Sequence, residues 1–173
     1  MYLISAYFDD SSKKELKRLI DEIAMETGNT FMVENNVPPH MTISSIEART
    51  GVELIESFKA ACSMINVGDI IITSYGVLPP YVIYGTAVLN EYLMNLQNTV
   101  YENVKDLPDT SVSKYYQPYS WLPHITLGKT LTQEQMSTAF AILQKKFKPI
   151  QASIVELGLA KTNPHEDIIR IKL

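Results

Sequence analysis

Apolar positions in this 173-residue chain switch between two periods, and the switches divide it into strands and helices. Tyr2 to Phe8 is a short, nearly unbroken apolar run rich in strand formers, which predicts a buried strand. Leu16, Leu19, Ile20, Ile23 and Ala24 follow at helical spacing. Ser12 and Glu15 are placed to cap that helix, and Gly28-Asn29 to stop it. Thr30 to Pro39 reads as a loop with a short strand at Phe31 to Val33, and Pro38-Pro39 imposes an extended entry into the next strand, His40 to Ile46. A second helix has Thr50 and Glu53 as a capping box and Leu54, Phe58, Ala61, Cys62 and Ile65 on its inner face. Strands at Asp69 to Leu78 and Tyr81 to Val88 flank Pro79-Pro80, and a third helix starts near Asn90 with Leu93, Leu96, Val100 and Val104 inside. Leu107 to Leu122 shows no period and predicts a long loop. A strand then runs from His124 towards Leu131. Thr132 and Gln135 cap a fourth helix with Met136, Ala139, Phe140, Leu143 and Phe147 on one face, and Pro149 ends it. Gln151 to Lys161 and Asp167 to Leu173 complete a terminal hairpin across Asn163-Pro164-His165-Glu166.

The order of elements repeats. Strand, helix, strand, capped helix, strand describes Tyr2 to Leu78, and the same words describe Tyr81 to Lys161. Gly76 and Gly158 fall at matching places in the closing strands. A degenerate duplication accounts for this, with repeats of about 1–78 and 79–173 in a single domain and one strand added at the end. Two halves of similar geometry can pack about an approximate two-fold axis.

A short phrase stands at the same place in each repeat: Pro39-His40-Met41-Thr42-Ile43 and Pro123-His124-Ile125-Thr126-Leu127. The two histidines are 84 positions apart, and the chain has three in all. Strand alternation puts His40 and Thr42 on one face and Met41 and Ile43 on the other; the second copy does the same with His124 and Thr126. Each copy therefore offers an imidazole and a hydroxyl roughly 7 Å apart, from a rise of about 3.3 Å per residue. Two such pairs about an axis suit in-line displacement at phosphorus. One imidazole accepts the attacker's proton and the other protonates the leaving oxygen, because an unperturbed pKa of about 6.5 lets both forms exist near neutrality. The threonine hydroxyls can donate to the non-bridging phosphate oxygens. Such a scheme requires no metal.

These phrases match the twin His-x-Thr/Ser-apolar motifs of the two-histidine (2H) phosphoesterase superfamily, and spacing and element order extend the resemblance over nearly the whole chain. The resemblance implies an α+β fold: a bilobal pseudo-two-fold duplication with mainly antiparallel sheets, flanking helices and a central cleft. It also implies a metal-independent phosphoesterase without cofactor, acting on 2',3'-cyclic phosphates or 2'-5' phosphodiesters of nucleotides or RNA ends. By that match His40 and His124 are the acid/base pair, and Thr42 and Thr126 bind the phosphate. The acid and base roles stay unassigned. A nucleotide-independent 2'-5' RNA ligase is an alternative, as is a non-catalytic binder of nucleotides or RNA ends.

Composition narrows the partners. A net charge of −4 argues against a general binder of long nucleic acid while allowing a small anionic ligand, so the expected substrate is a nucleotide or RNA terminus and the expected state a monomer. The single cysteine, Cys62, excludes an internal disulfide and reads as a small core residue. No secretory signal or bilayer-length apolar run is apparent, which makes a cytoplasmic protein the expectation. His165 falls in a turn and is expected in solvent. A three-histidine zinc site is disfavoured because the motif histidines travel with threonines and no carboxylate sits at ligand spacing. The aromatics of the loop Tyr115-Tyr116-Gln117-Pro118-Tyr119-Ser120-Trp121, chiefly Tyr119 and Trp121, and Phe31 upstream of the first motif, could stack on a nucleobase or simply anchor their loops. Lys129, Lys161 and Arg170 are the cations placed nearest the cleft, with Lys129 aimed away from the motif face, and Tyr75, Tyr81 and Tyr84 read as structural strand residues.

Overall fold

The computed structural model describes residues 1–162 and 166–173. The proposed turn at His165 lies outside the described residues. Among the described residues, eight strands and five helices follow in the order β1 (Tyr2–Phe8), α1 (Asp10–Thr27), α2 (Phe31–Glu34), β2 (Met41–Ala48), α3 (Val52–Ser63), β3 (Gly68–Leu78), β4 (Val82–Ala87), α4 (Glu91–Val104), β5 (Thr110–Val112), β6 (His124–Gly128), α5 (Gln133–Lys146), β7 (Ile150–Lys161) and β8 (Glu166–Lys172). A 3-10 turn at Lys114–Tyr116 lies between β5 and β6. The fold is α+β, with an antiparallel sheet flanked by helices, as the sequence predicts.

The strands pair antiparallel, and the pairing of six of them maps onto itself when β1, β2 and β3 are exchanged with β4, β6 and β7; β5 on β2 and β8 on β7 stand outside the exchange. β1 pairs with β2 as β4 pairs with β6; β1 pairs with β7 as β4 pairs with β3. The equivalence holds residue by residue. Ser5 is opposite Thr42 and Ala6 opposite Met41; Tyr84 is opposite Thr126 and Gly85 opposite Ile125. The register slips at the same step in both copies, between Ile4 and Ser5 and between Ile83 and Tyr84. A second matched slip falls between Tyr7 and Phe8 on β1 and between Ile72 and Ser74 on β3. Gly158 faces Ser5 as Gly76 faces Tyr84, so the two glycines are equivalent in register. β2 meets β6 at one pair, Met41 opposite Ile125, where the exchange maps the pair onto itself.

The helices follow the same rule. α1 packs against α5, and α3 against α4, so each helix pair draws one member from each repeat. Repeats contiguous in sequence are thus interlocked in space. Met41, Ile43, Ile125, Leu127, Ile4 and Ile83 are fully buried and form the core with Leu16, Leu19 and Ile23 of α1 and Leu93 and Val100 of α4. Each such side chain contributes about 1.5–3 kcal/mol by leaving water, which fixes which face of each motif strand turns inward.

The helix starts differ from expectation at two places. Asp9, not Ser12, caps α1: its carboxylate accepts from the N–H groups of Ser11 and Ser12 at 3.0 and 3.1 Å. The same carboxylate accepts from the Ser153 N–H at 2.8 Å, stitching the helix start to β7. Burial pushes this carboxyl up, but hydrogen bonds from Ser12, Ser153 and Ser11 outweigh it and hold Asp9 below its ordinary value. At α3 the cap position is Gly51 and makes no side-chain bond; Thr50 instead donates to the Glu53 carboxylate at 2.6 Å. The Thr132–Gln135 capping box is formed as predicted, and Gly28, with φ of 70°, ends α1 in the left-handed region.

Three further expectations change. Phe31–Glu34 is a one-turn helix rather than a strand. The stretch 107–122 carries β5, paired with β2, and the 3-10 turn. Phe140 is 44% exposed rather than in the core, its ring edge-on to Tyr75 at 5.2 Å.

Candidate active site

The single β2–β6 pair organises the site. With Met41 opposite Ile125, the antiparallel register sets His40 level with Thr126, and Thr42 level with His124. Met41 and Ile125 point into the core, so these four side chains share the opposite face. The two imidazoles stand on a diagonal across the pair, and each hydroxyl lies beside the other repeat's histidine.

Both histidines are held alike. His40 Nδ1 lies 2.8 Å from the carbonyl oxygen of Pro38, and His124 Nδ1 lies 2.9 Å from that of Leu122. A carbonyl only accepts, so in each ring Nδ1 carries the proton and donates. In the neutral form the lone pair then resides on Nε2. The two carbonyls come from equivalent positions, each two residues before its histidine. The preceding prolines, Pro39 and Pro123, hold that chain extended, which lets a ring reach back to its own backbone.

Each imidazole has a tyrosine neighbour. Tyr84 stands edge-on to His124 with ring centres 5.6 Å apart, and Tyr7 is tilted against His40 at 6.2 Å. The equivalent glycines make room for them. A Cβ on Gly76 would come within 2.7 Å of the Tyr84 hydroxyl oxygen, and one on Gly158 within 2.9 Å of Tyr7 Cε2. Glycine is required by this close approach of a ring to the strand. Tyr84 therefore belongs to the site rather than to the strand framework alone. Burial raises the Tyr7 phenol above its ordinary value, against a lowering by Arg170, whose guanidinium stacks on the ring at 4.1 Å. Arg170 also pairs with Asp167 at 2.9 Å and Glu156 at 3.4 Å, so its charge is matched at the edge of the site.

The proposed stacking aromatics separate into three environments. Trp121 is 8% exposed, and its indole N–H donates to the Thr42 carbonyl oxygen at 2.9 Å. It straps the segment entering the second motif to the strand carrying the first. Tyr119 is 97% exposed with φ of 65°, standing off the protein. Phe31 packs against the core under the ammonium of Lys129, which lies 5.9 Å from the ring centre. Lys129 itself is exposed, as alternation predicts.

A hollow of 470 Å³ opens beside His124, lined by Leu78, Pro79, Tyr115, Tyr116, Trp121 and Leu122 with Ser120. Its volume lies in the range of small-molecule pockets. The Tyr116 hydroxyl meets the side chain of Thr42; burial raises that phenol, with a smaller lowering from Thr42. Tyr115 and Tyr116 come from the aromatic loop the sequence offers for base stacking, and they line this hollow where Tyr119 does not. A larger hollow, of 570 Å³, lies between α1 and the end of α5 and contains neither motif residue. Among the described residues no group of three or more His, Cys, Asp or Glu is arranged to hold a metal.

Known proteins bear out the fold and the family resemblance. The family model of the 2'-5' RNA ligase superfamily matches residues 6–166. The chain belongs to that superfamily. Escherichia coli LigT, in its complex with 3'-AMP, superposes with a TM-score of 0.62 at 12% identity, covering 99% of this chain and 97% of LigT. The protein TT0787 of Thermus thermophilus gives 0.63 at 14% identity with the same coverages. A crystal structure described as a phosphoesterase gives 0.60 at 13% identity, covering 99% and 97%. At these identities the likeness is one of fold. No curated protein sequence matches significantly.

Proposed function

We propose that this protein is a metal-independent phosphoesterase that opens 2',3'-cyclic phosphates or cleaves 2'-5' phosphodiesters of nucleotides or RNA ends. The observation that carries this reading is the diagonal pair of histidines, each fixed through Nδ1 by its own backbone and set level with the other repeat's threonine. One neutral imidazole takes a proton from water through Nε2 as the water oxygen attacks phosphorus. The other, protonated, gives its Nε2 proton to the ribose oxygen as the P–O bond breaks. Thr42 and Thr126 donate to the non-bridging oxygens, whose charge grows in the transition state.

The substrate class is a small nucleotide or an RNA terminus, of the kind represented by the 3'-AMP in the LigT complex. The protein works as a monomer in the cytoplasm in this reading; no helix among the described residues is long and apolar enough to cross a membrane. The superfamily's description favours a second use of the same groups, nucleotide-independent 2'-5' joining as the reverse of cyclic-phosphate opening.

Incubation with nucleoside 2',3'-cyclic phosphates and cyclic-phosphate-ended or 2'-5'-linked RNA in EDTA tests the reading. Turnover to a phosphomonoester is expected. Binding without turnover of any of these compounds would instead identify a non-catalytic binder, and loss of activity on EDTA treatment would overturn the metal-free mechanism.

A further inference from the structure

The 570 Å³ hollow between the start of α1 and the end of α5 serves neither motif. Its origin lies in how the two helices part. At one end the Gln135 side chain of α5 donates to the Thr27 carbonyl at 3.0 Å, and further along Lys146 pairs with Glu22. Beyond that pair the first turns of α1 and the corner at Pro149 separate over a floor of Leu19 and Ile150, both buried. α1 packs on the core side of the motif strands, so the hollow opens on the side of the sheet away from His40, Thr42, His124 and Thr126.

The walls are cationic. α1 contributes Arg18; the last turn of α5 contributes Lys145 and Lys146, and the extended backbone at Phe147 brings Lys148 to the same mouth. Two carboxylates answer these four cations. Glu15 meets Arg18 at 3.2 Å, and Glu22 is shared by Arg18, at 3.7 Å, and Lys146. Among the described residues neither Lys145 nor Lys148 makes an ion pair. The hollow therefore holds two positive charges in excess, on a chain whose net charge is −4. A concave wall focuses such a field and draws in an anion. Neutral donors stand in the same walls, the Ser11 hydroxyl and the Gln151 amide, both on exposed residues. The backbone N–H groups of Ser11 and Ser12 are taken by Asp9, so recognition falls to side chains.

These features select the ligand. A carboxylate or an orthophosphate is compact and meets charge at one point, whereas these cations line two walls supplied by different helices. A chain of linked phosphates spans both, its oxygens accepting from the Arg18 fork and from the lysine ammonium groups. We propose that the hollow binds a polyphosphate anion, free or as the tail of a nucleotide, which bridges α1 and α5 and so ties one repeat to the other. The site is separate from the histidine cleft, and the inference stands apart from the phosphoesterase reading because binding needs no turnover.

Titration calorimetry with inorganic tripolyphosphate, in EDTA at low ionic strength, tests the site. Wild type should show one saturable site with a Kd of about 1 mM or below, at least roughly tenfold tighter than for orthophosphate. Binding should survive in His40→Ala/His124→Ala, which separates it from the cleft. Lys145→Gln/Lys148→Gln should weaken it roughly 10- to 100-fold, because hydrogen bonds to charged groups are lost. Both lysines are exposed, and thermal melts check that every variant is folded. Glu15→Gln removes a competing carboxylate and should tighten binding roughly 2- to 5-fold. A parallel titration with adenosine triphosphate distinguishes the sources: equal or weaker affinity assigns the site to the free phosphate chain, and tighter binding adds the nucleoside. A tripolyphosphate Kd above about 1 mM, equal affinity for orthophosphate, or loss of binding in the double histidine variant overturns the proposal. So does an affinity that Lys145→Gln/Lys148→Gln leaves unchanged or that Glu15→Gln fails to raise.

Discussion

Replacing Trp121 with Phe separates its two possible uses, strap or stacking platform. The indole N–H donates to the Thr42 carbonyl at 2.9 Å in a buried setting, across 79 residues of sequence. Phe keeps an aromatic face but has no donor. Losing the donor to a buried acceptor costs about 1–3 kcal/mol, and the gap left by the smaller ring adds about 1 kcal/mol. The sum, about 2–4 kcal/mol, corresponds to a drop in Tm of roughly 4–16 °C for a chain of this size. Because the bond ends on Thr42, the residue whose hydroxyl is proposed to serve the phosphate, kcat should fall, by about 10- to 100-fold, while KM changes little. The assay is a thermal melt beside steady-state kinetics on a 2',3'-cyclic nucleotide. A variant with wild-type Tm whose defect lies wholly in KM would refute the strap and restore the stacking role.

Gly76→Ala drives a methyl group to within 2.7 Å of the Tyr84 hydroxyl and so displaces the ring beside His124. Overpacking of about 1–3 kcal/mol is partly offset by the roughly 0.5–1 kcal/mol that Ala gains over Gly in a strand; the net loss of stability should be about 0–2.5 kcal/mol while kcat drops, and Gly76→Ala/Tyr84→Ala should melt no lower than Tyr84→Ala alone. Asp9→Ala removes the α1 cap and the bond to Ser153, and should cost about 1–2 kcal/mol by chemical denaturation at pH 7. Asp9's folded value is depressed, so its contribution is present above the ordinary 3.8 and fades as pH falls through the lower folded value; wild type and Asp9→Ala should converge in acid. Burial lifts the Cys62 thiol from 9.0 to about 11. Its contribution is complete below pH 9 and lost as pH rises through about 11, and the native thiol should resist a disulfide reagent at about pH 8 until the protein is denatured.

Most of the fold was legible because its elements advertise themselves locally. Leu16, Leu19, Ile20 and Ile23 need only a helical period to be placed, and all are buried as expected. The motif strands were equally plain, since one alternating phrase assigned Met41 and Ile125 to the core and the histidines to the other face. What escaped depended on distant partners. The bond from the Ser153 N–H to Asp9, which ties the α1 cap to β7, joins residues far apart in the chain. Tyr84 looked like any strand tyrosine; its place beside His124 depends on the strand pairing and on a glycine opposite it. Gly76 and Gly158 did carry that signal, but a glycine in a strand says only that something approaches, not what. The loop holding Tyr115 and Tyr116 was named for its aromatics, but not its local form, because a 3-10 turn of three residues is too short to show a period.

The central claim is that one composite site is split between the repeats. It is tested most directly by initial rates on a 2',3'-cyclic nucleotide in EDTA for wild type, His40→Ala, His124→Ala and the double variant. The prediction is a loss of roughly 10²- to 10⁴-fold for each single variant, with the double variant scarcely worse than either, because the two imidazoles serve one transition state. Near-wild-type turnover by either single variant, or losses that multiply in the double, would contradict it.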